Sequence, residues 1–160
     1  YLAEAGINIK YNFAFIHYPT NKRDLIIHTN LDNNIGVLKL FPGITPQLID
    51  SVLNTKDVKA IILETFGSGN ASSQPWFLDK IKEAVNRGII IVNVTQCHAG
   101  SVDMDKYENG LILKNQGVIS GYDITFEAAV AKLMLLLGKK LSPDQIKLEM
   151  AKSMSGEISR

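Results

Sequence analysis

Two apolar runs dominate the hydropathy pattern of the chain. Val58 to Leu63 is interrupted only by Lys59, and Ile89-Ile90-Ile91-Val92 is unbroken. Runs this short, apolar at odd and even positions alike, suit strands covered on both faces, whereas a half-exposed strand would alternate. Each run then turns polar. The first passes through Glu64-Thr65-Phe66 into Gly67-Ser68-Gly69-Asn70-Ala71-Ser72-Ser73, a glycine-rich turn ahead of a helix, and the second ends in Asn93-Val94-Thr95-Gln96-Cys97. In open α/β sheets ligands sit outside the carboxyl ends of parallel strands, so these two ends mark one candidate edge. Shorter β-type runs come earlier, Leu25-Ile26-Ile27-His28 and Val37-Leu38-Lys39-Leu40-Phe41. Between them lies a loop at Asn30 to Asn34, whose Asn and Asp residues favour turns.

Helical spacing fills the intervals. Thr45-Pro46 pairs an N-cap with proline at the first helical position, Leu48, Ile49, Val52 and Leu53 share one face, and Asn54 to Asp57 end the helix. Ser73-Gln74-Pro75 opens a second helix whose buried stripe is Phe77, Ile81, Ala84 and Val85, closed by Gly88. Thr125 caps a third, in which Phe126, Val130, Leu133, Met134 and Leu137 keep helical spacing and Gly138 lies past the end. Its other sides carry Ala128, Ala129, Ala131, Leu135 and Leu136, so it is predicted to be buried on several sides, within the domain or at a subunit interface. Ser142-Pro143-Asp144-Gln145 fits a capping box, with Ile146 and Met150 facing inward. Strands near 37–41, 58–63 and 89–94, joined by crossover helices, predict a parallel sheet. The fold class is α/β: a three-layer, mostly parallel sheet with flanking helices, Rossmann-like.

Composition narrows the partners. A chain of 160 residues, 46% hydrophobic and 21% charged, is one ordinary soluble domain with a sizeable core. With 17 basic against 16 acidic residues there is no electrostatic case for nucleic acid or an anionic membrane, and neither partner is expected. The apolar runs are far shorter than the roughly 20 residues of a membrane-spanning helix. A single cysteine, Cys97, excludes an internal disulfide and fits a reducing compartment. The opening Tyr1-Leu2-Ala3-Glu4-Ala5-Gly6 has no initiator Met and no secretory pattern, and is expected to continue something longer.

Candidate chemistry is sparse. His98 adjoins Cys97, but no second ligand pair follows at zinc spacing, so no metal is expected. Gly67-Ser68-Gly69 lacks the third glycine and the acidic partner of a dinucleotide fingerprint, and no Walker-type lysine follows; no cofactor is expected. His17, His28 and His98 have no nucleophile motif beside them. Asp123 and Glu127, at a helix start, read as charges complementing the dipole rather than as catalytic acids.

Taken in order, six motifs resemble the C-terminal domain of a type I, cytoplasmic L-asparaginase nearly end to end. They are Phe41-Pro42-Gly43-Ile44, Gly67-Ser68-Gly69-Asn70-Ala71, Val94-Thr95-Gln96-Cys97, Gly100-Ser101-Val102-Asp103-Met104, Tyr107-Glu108-Asn109-Gly110, and Gly117-Val118-Ile119-Ser120-Gly121-Tyr122-Asp123-Ile124-Thr125 with Glu127-Ala128-Ala129. Leu2-Ala3-Glu4-Ala5-Gly6 resembles the family's inter-domain segment. The resemblance implies that residues 1–34 are that segment with an irregular β-type entry and that residues 35–160 are the C-terminal α/β domain. It further implies an amidohydrolase converting L-asparagine to aspartate and ammonia, with the threonine nucleophile in an N-terminal domain outside this chain. No catalytic residue is then expected here, and the isolated chain is expected to be inert.

The same resemblance implies a homo-oligomer, dimer or tetramer, in the cytoplasm, whose C-terminal domains complete active sites across a dimer. Asn70 and Tyr107 match residues near a neighbouring subunit's substrate; turn chemistry for Asn70 and core packing for Tyr107 are the competing readings. Thr95 and Cys97 match positions of an effector site for L-asparagine, and Glu64 stands at a third position of it without fitting. Regulated relatives can carry arginine at that third position, and a glutamate there would repel an α-carboxylate while pairing with an α-ammonium. The competing reading of Cys97 is a small buried hydrophobe, since nothing basic adjoins it in sequence. Two rivals stand beside the asparaginase: the asparaginase-like subunit of a tRNA-dependent amidotransferase, and a non-catalytic amino-acid-binding α/β module. The Gly67–Ala71 loop favours the asparaginase.

Overall fold

A computed structural model describes residues 2–16, 18 and 24–159; Tyr1 and His17 lie outside the described residues. The chain starts with a small antiparallel hairpin, β1 (Ala3–Ala5) and β2 (Ile9–Tyr11), and a single 3-10 turn at Phe13–Phe15. The main sheet has four parallel strands in sequence order: β3 (Ile35–Lys39), β4 (Ala60–Thr65), β5 (Ile90–Thr95) and β6 (Ile119–Ser120). Helices α1 (Pro46–Leu53), α2 (Pro75–Asn86) and α3 (Glu108–Asn115) link successive strands, and α4 (Phe126–Gly138) and α5 (Pro143–Met150) follow the last one.

Alternation along β4 and β5 sets the layers, because successive side chains on a strand point to opposite faces. Ile61, Leu63 and Ile91 pack with Ile49 and Leu53 of α1, Phe77 and Ile81 of α2 and Leu113 of α3. Ala60, Ile62, Ile90, Val92 and Val94 pack on the other face with Ala129, Leu133 and Leu136 of α4 and Ile146 and Met150 of α5. Both faces of the two central strands are therefore dry, which is why their apolar runs are continuous. Each fully buried Ile or Leu contributes about 1.5–3 kcal/mol relative to exposure. The expected three-layer α/β fold is what forms.

The caps follow the sequence closely. Leu48 donates its amide to Thr45 Oγ1 and Ala128 donates to Thr125 Oγ1, both at 3.3 Å. Ser142 and Gln145 form the reciprocal capping box. Gly88, at φ +89°, ends α2 in the left-handed conformation that glycine adopts without strain.

Three features differ from the sequence reading. Leu25-Ile26-Ile27-His28 forms no strand; Leu25 is 86% exposed and Ile26 74%, and no described strand or sheet face lies against them to reward their β propensity. Gly138 is the last residue of α4 rather than a residue beyond it, and the positive φ falls at Lys140. The glycine serves close approach: a Cβ at 138 would sit 2.0 Å from the Asn30 carbonyl oxygen, where the 29–34 segment crosses and Asp32 donates its amide to Met134 O. Finally, α3 and the two-residue β6 were hidden, since Glu108–Asn115 has little amphipathic contrast and Ile119–Ser120 is too short for a pattern.

A buried ion pair closes the back layer. Lys132 in α4 is 5% exposed and its Nζ donates to Glu157 Oε1 at 2.8 Å, to Met150 O at 3.1 Å and to Lys152 O. Glu157 in turn accepts the amides of Met154 and Ser155, so the segment after α5 is held by one carboxylate. Burial pushes that carboxyl up, but Lys132 and the two amides outweigh burial and hold it down at about 2. A folded-state value below the ordinary one stabilises the fold fully above about pH 4.5 and loses that contribution as pH falls toward 2. Glu157→Gln is expected to cost about 3 kcal/mol at pH 7, leaving Lys132 buried without its counter-ion, and to flatten the acid limb. Urea unfolding at pH 7 and pH 3 checks both; equal losses at the two pH values would contradict the assignment.

Candidate functional site

The candidate site is built where β4 and β5 leave the sheet together. Thr65 and Thr95 are paired in register, and beyond Thr65 the chain folds back as a tight turn over Phe66 to Asn70. Phe66 and Asn70 exchange amide-to-carbonyl hydrogen bonds at 2.9 and 2.8 Å, and Gly69 also donates to Phe66 O at 3.1 Å. Gly67 (φ +51°) and Gly69 (φ +104°) supply the left-handed backbone that closes it. A helix follows directly, with Pro75 at its first position and Gln74 as the N-cap.

Side chains from β5 replace the ladder that the turn has left. Thr95 Oγ1 donates to Gly67 O at 2.5 Å, and Asn93 Nδ2 donates to Gly69 O at 3.2 Å. Thr65 Oγ1 donates to Asn93 Oδ1 at 2.6 Å, and both residues are fully buried. Ser68 O accepts the Asp103 amide at 3.0 Å. Gln96 Nε2 donates to Leu40 O and Glu64 O at 2.7 and 2.9 Å, stitching the end of β4 to the exit of β3. Every carbonyl from Phe66 to Asn70 therefore has a donor.

The anticipated site residues fall into separate places. Asn70 sits at the end of the turn with its backbone fixed and its side chain half-buried. Tyr107 is the N-cap residue of α3, 46% exposed, with Lys106 Nζ 5.6 Å from its ring centroid, so core packing does not describe it. Cys97 is exposed, not a buried hydrophobe, in a turn where its amide donates to Thr95 Oγ1 at 3.0 Å. Glu64 stands apart from Thr95 and Cys97. In register it lies beside Val94 and Lys39, one residue out of phase with Thr95, so it projects to the opposite face of the sheet and lies 3.6 Å from Lys39 Nζ. Asp123 accepts the Ser159 amide rather than capping α4; burial raises its carboxyl, and the Ser159 hydrogen bonds bring it below the ordinary value.

Beside the turn lies a cleft of about 420 Å³ walled by Phe41, Phe66, Trp76 and Phe77. Phe41 and Phe66 keep 47% and 40% of their surface exposed there. Asn93 and Gln96 were readable as polar residues ending an apolar strand, but their roles needed the register of the neighbouring turn. Among the described residues no group of three His, Cys, Asp or Glu side chains could hold a metal, and no helix is long and apolar enough to cross a membrane.

An α/β domain with this turn at its sheet edge has many relatives. Residues 34–150 match the glutaminase/asparaginase C-terminal domain, and the chain belongs to that family. It is 39% identical over 158 residues to L-asparaginase 1 of Escherichia coli strain K12, covering 99% of this chain and 46% of that protein. It is 38% identical over 159 residues to the 60 kDa lysophospholipase of Homo sapiens, covering 99% of this chain and 27% of that protein. A component of the glutamyl-tRNA(Gln) amidotransferase of Sulfolobus acidocaldarius is more distant, 31% identical over 143 residues, with 89% of this chain and 31% of that protein covered. The crystal structure of L-asparaginase I from Vibrio cholerae aligns with a TM-score of 0.88 at 42% identity, over 99% of this chain and 48% of that one. The chain thus spans about half the length of the bacterial asparaginases and about a quarter of the lysophospholipase. These matches bear out the resemblance read from the motifs.

The turn tolerates no side chain at Gly69. A Cβ there would meet Val102 Cγ1 at 2.8 Å and Asn93 Nδ2 at 3.2 Å, on a backbone that L residues rarely adopt. Gly69→Ala is expected to destabilise the domain by roughly 1–3 kcal/mol, measured as a lowered denaturation midpoint with unchanged slope. Gly43→Ala is the control, since its Cβ would meet nothing within 4 Å and only the φ cost remains.

Proposed function

We propose that this chain is the C-terminal half of an L-asparaginase, which hydrolyses L-asparagine to aspartate and ammonia in the cytoplasm as a homo-oligomer, with its nucleophile in an N-terminal domain. The observation that carries the reading is the braced Phe66–Asn70 turn at the carboxyl end of β4, in a chain whose asparaginase relatives match it from end to end. The domain's part in the reaction is positioning. Asn70 offers one amide that both donates and accepts, and in an oligomer it would reach a neighbouring subunit's substrate or a water bound to it. Tyr107, exposed at the start of α3, is assigned to the same interface. Its phenol can be covered by a partner without disturbing the domain's own core.

Residues 1–34 are assigned to the segment that joins this domain to the catalytic one, and residues 35–160 to the domain itself. The exposed Ile9, Tyr11, Phe13 and Leu25 support this reading, because an isolated domain gains nothing from leaving them in water.

The chemistry of the edge also argues against a nucleophile in this chain. Thr65 and Thr95 both direct their hydroxyl protons to oxygen acceptors already within the fold, a carboxamide and a backbone carbonyl, and neither faces a base. The purified chain is therefore expected to release no ammonia from L-asparagine above buffer, whereas the protein carrying both domains does. In the two-domain protein Asn70→Ala should lower kcat/KM roughly tenfold or more, the loss of one hydrogen bond in a water-poor site. Turnover by the chain alone would overturn the assignment, and so would a two-domain protein that hydrolyses a lysophospholipid ester but leaves L-asparagine untouched.

The effector site is assigned as silent. Thr95 is committed to Gly67, and Glu64 lies on the other face beside Lys39, so neither position supplies the cation that an α-carboxylate needs. Initial rates of the two-domain protein are expected to follow a hyperbola in L-asparagine. A Hill coefficient clearly above one would contradict this.

A further inference from the structure

Asn93 is a costly residue for its position. It lies in a strand flanked by Val92 and Val94, is 0% exposed, and faces the layer formed by Leu63, Ile91 and Phe77, where an aliphatic side chain would be the stabilising choice. Its polar atoms are nevertheless satisfied, and both partners belong to the turn of β4 or its root. Thr65 Oγ1 donates to Oδ1 at 2.6 Å, and Nδ2 donates to Gly69 O at 3.2 Å. The orientation is fixed by chemistry, since only the NH₂ end can face a carbonyl.

The bond to Gly69 O falls on a single peptide unit. That unit joins Gly69 to Asn70, and its other end, the Asn70 amide, donates to Phe66 O at 2.8 Å. Next to a glycine at φ +104°, a peptide plane flips readily unless both of its ends are held. Here one end is held by the turn itself and the other by a side chain reaching out of the core. Thr95 and Asp103 hold the two preceding carbonyls, but neither touches the plane that sets the direction of Asn70.

We propose that Asn93 is a positioning residue for the reaction: from within the sheet, with Thr65 orienting its amide, it locks the Gly69–Asn70 peptide and so fixes where the Asn70 carboxamide is presented. This rests on the assignment of Asn70 to a neighbouring substrate site. Asn93→Asp is the sharpest probe, because it keeps the oxygen that accepts from Thr65 and replaces only the donor to Gly69 with a second oxygen. Thr65→Val removes the orienting hydroxyl at constant shape, and Thr65→Ser keeps it.

The test is a double-mutant cycle in the two-domain protein, read as kcat and KM for L-asparagine separately. Asn93→Asp is expected to lower kcat/KM about tenfold, through the same parameter that Asn70→Ala changes, and to add less than twofold in the Asn70→Ala background. Thr65→Val should follow in the same direction and Thr65→Ser should stay near the parent. Full additivity of Asn93→Asp and Asn70→Ala would overturn the proposal, since a purely structural residue costs the same in either background. So would parental kinetics in Asn93→Asp. Hydrogen exchange at the peptide carrying Gly69 and Asn70 separates this from the functional reading. If Asn70→Ala has parental kinetics, the substrate role of Asn70 is lost; faster exchange at that peptide in Thr65→Val, with unchanged exchange in the rest of β5, still supports the lock, and unchanged exchange there rejects it. Thr65→Val also carries the cycle should Asn93→Asp fail to fold.

Discussion

When a chain leaves a sheet its backbone must find new hydrogen-bond partners, and in this protein β5 supplies them to β4. The carbonyls of Gly67 and Gly69 lie beyond the last rung of the ladder, yet each is met by a β5 side chain, Thr95 and Asn93. Gln96 does the same for Leu40 and Glu64. An unpaired carbonyl in such a place would cost about 1–3 kcal/mol. With the pairs made, the turn is outside the sheet but no longer free of it. Surface turns are usually among the least stable parts of a fold, and this one is instead braced from a buried central strand.

The same accounting explains where the core admits polar groups at all. Thr65, Asn93 and Lys132 are the buried polar or charged side chains among the described residues; Asn93 and Lys132 each tie a regular element to a segment outside it, and Thr65 orients Asn93 from the neighbouring strand. Thr65 and Asn93 serve the front layer and its turn. Lys132 serves the back layer, where Glu157 gathers the chain after α5. Replacing such groups by apolar ones can cost little in stability, so their value lies in specifying one arrangement of segments that hydrophobic packing leaves undefined.

How far the sequence could be read follows from which forces write into local pattern. Continuous runs at 58–63 and 89–94 revealed two-sided burial, and Thr45, Thr125 and Ser142 announced helix starts because capping is a bond between residues three apart. Leu25-Ile26-Ile27-His28 misled for the converse reason: β propensity reports fitness for a pleated surface, and among the described residues no strand lies there to form one. Gly138 looked like a helix stop, but its cause was the passage of Asn30 against α4, a contact about a hundred residues distant in the chain. At the site, the two apolar runs pointed to neighbouring strand ends, and β4 and β5 do end side by side. They could not show that Glu64 and Thr95 face opposite ways, because that depends on the register between β4 and β5.

Backbone hydrogen bonding at this sheet edge is completed within the domain. A protein named for asparagine hydrolysis and one named as a lysophospholipase are 39% and 38% identical to this chain over nearly all of it. Two differently named proteins thus share the sequence of this domain to a similar degree. The edge of this sheet holds hydroxyls already bound to acceptors within the fold, amides, and an aromatic-walled cleft. In this chain the brace behind the turn fixes the backbone on which residue 70 sits, whatever side chain that residue carries.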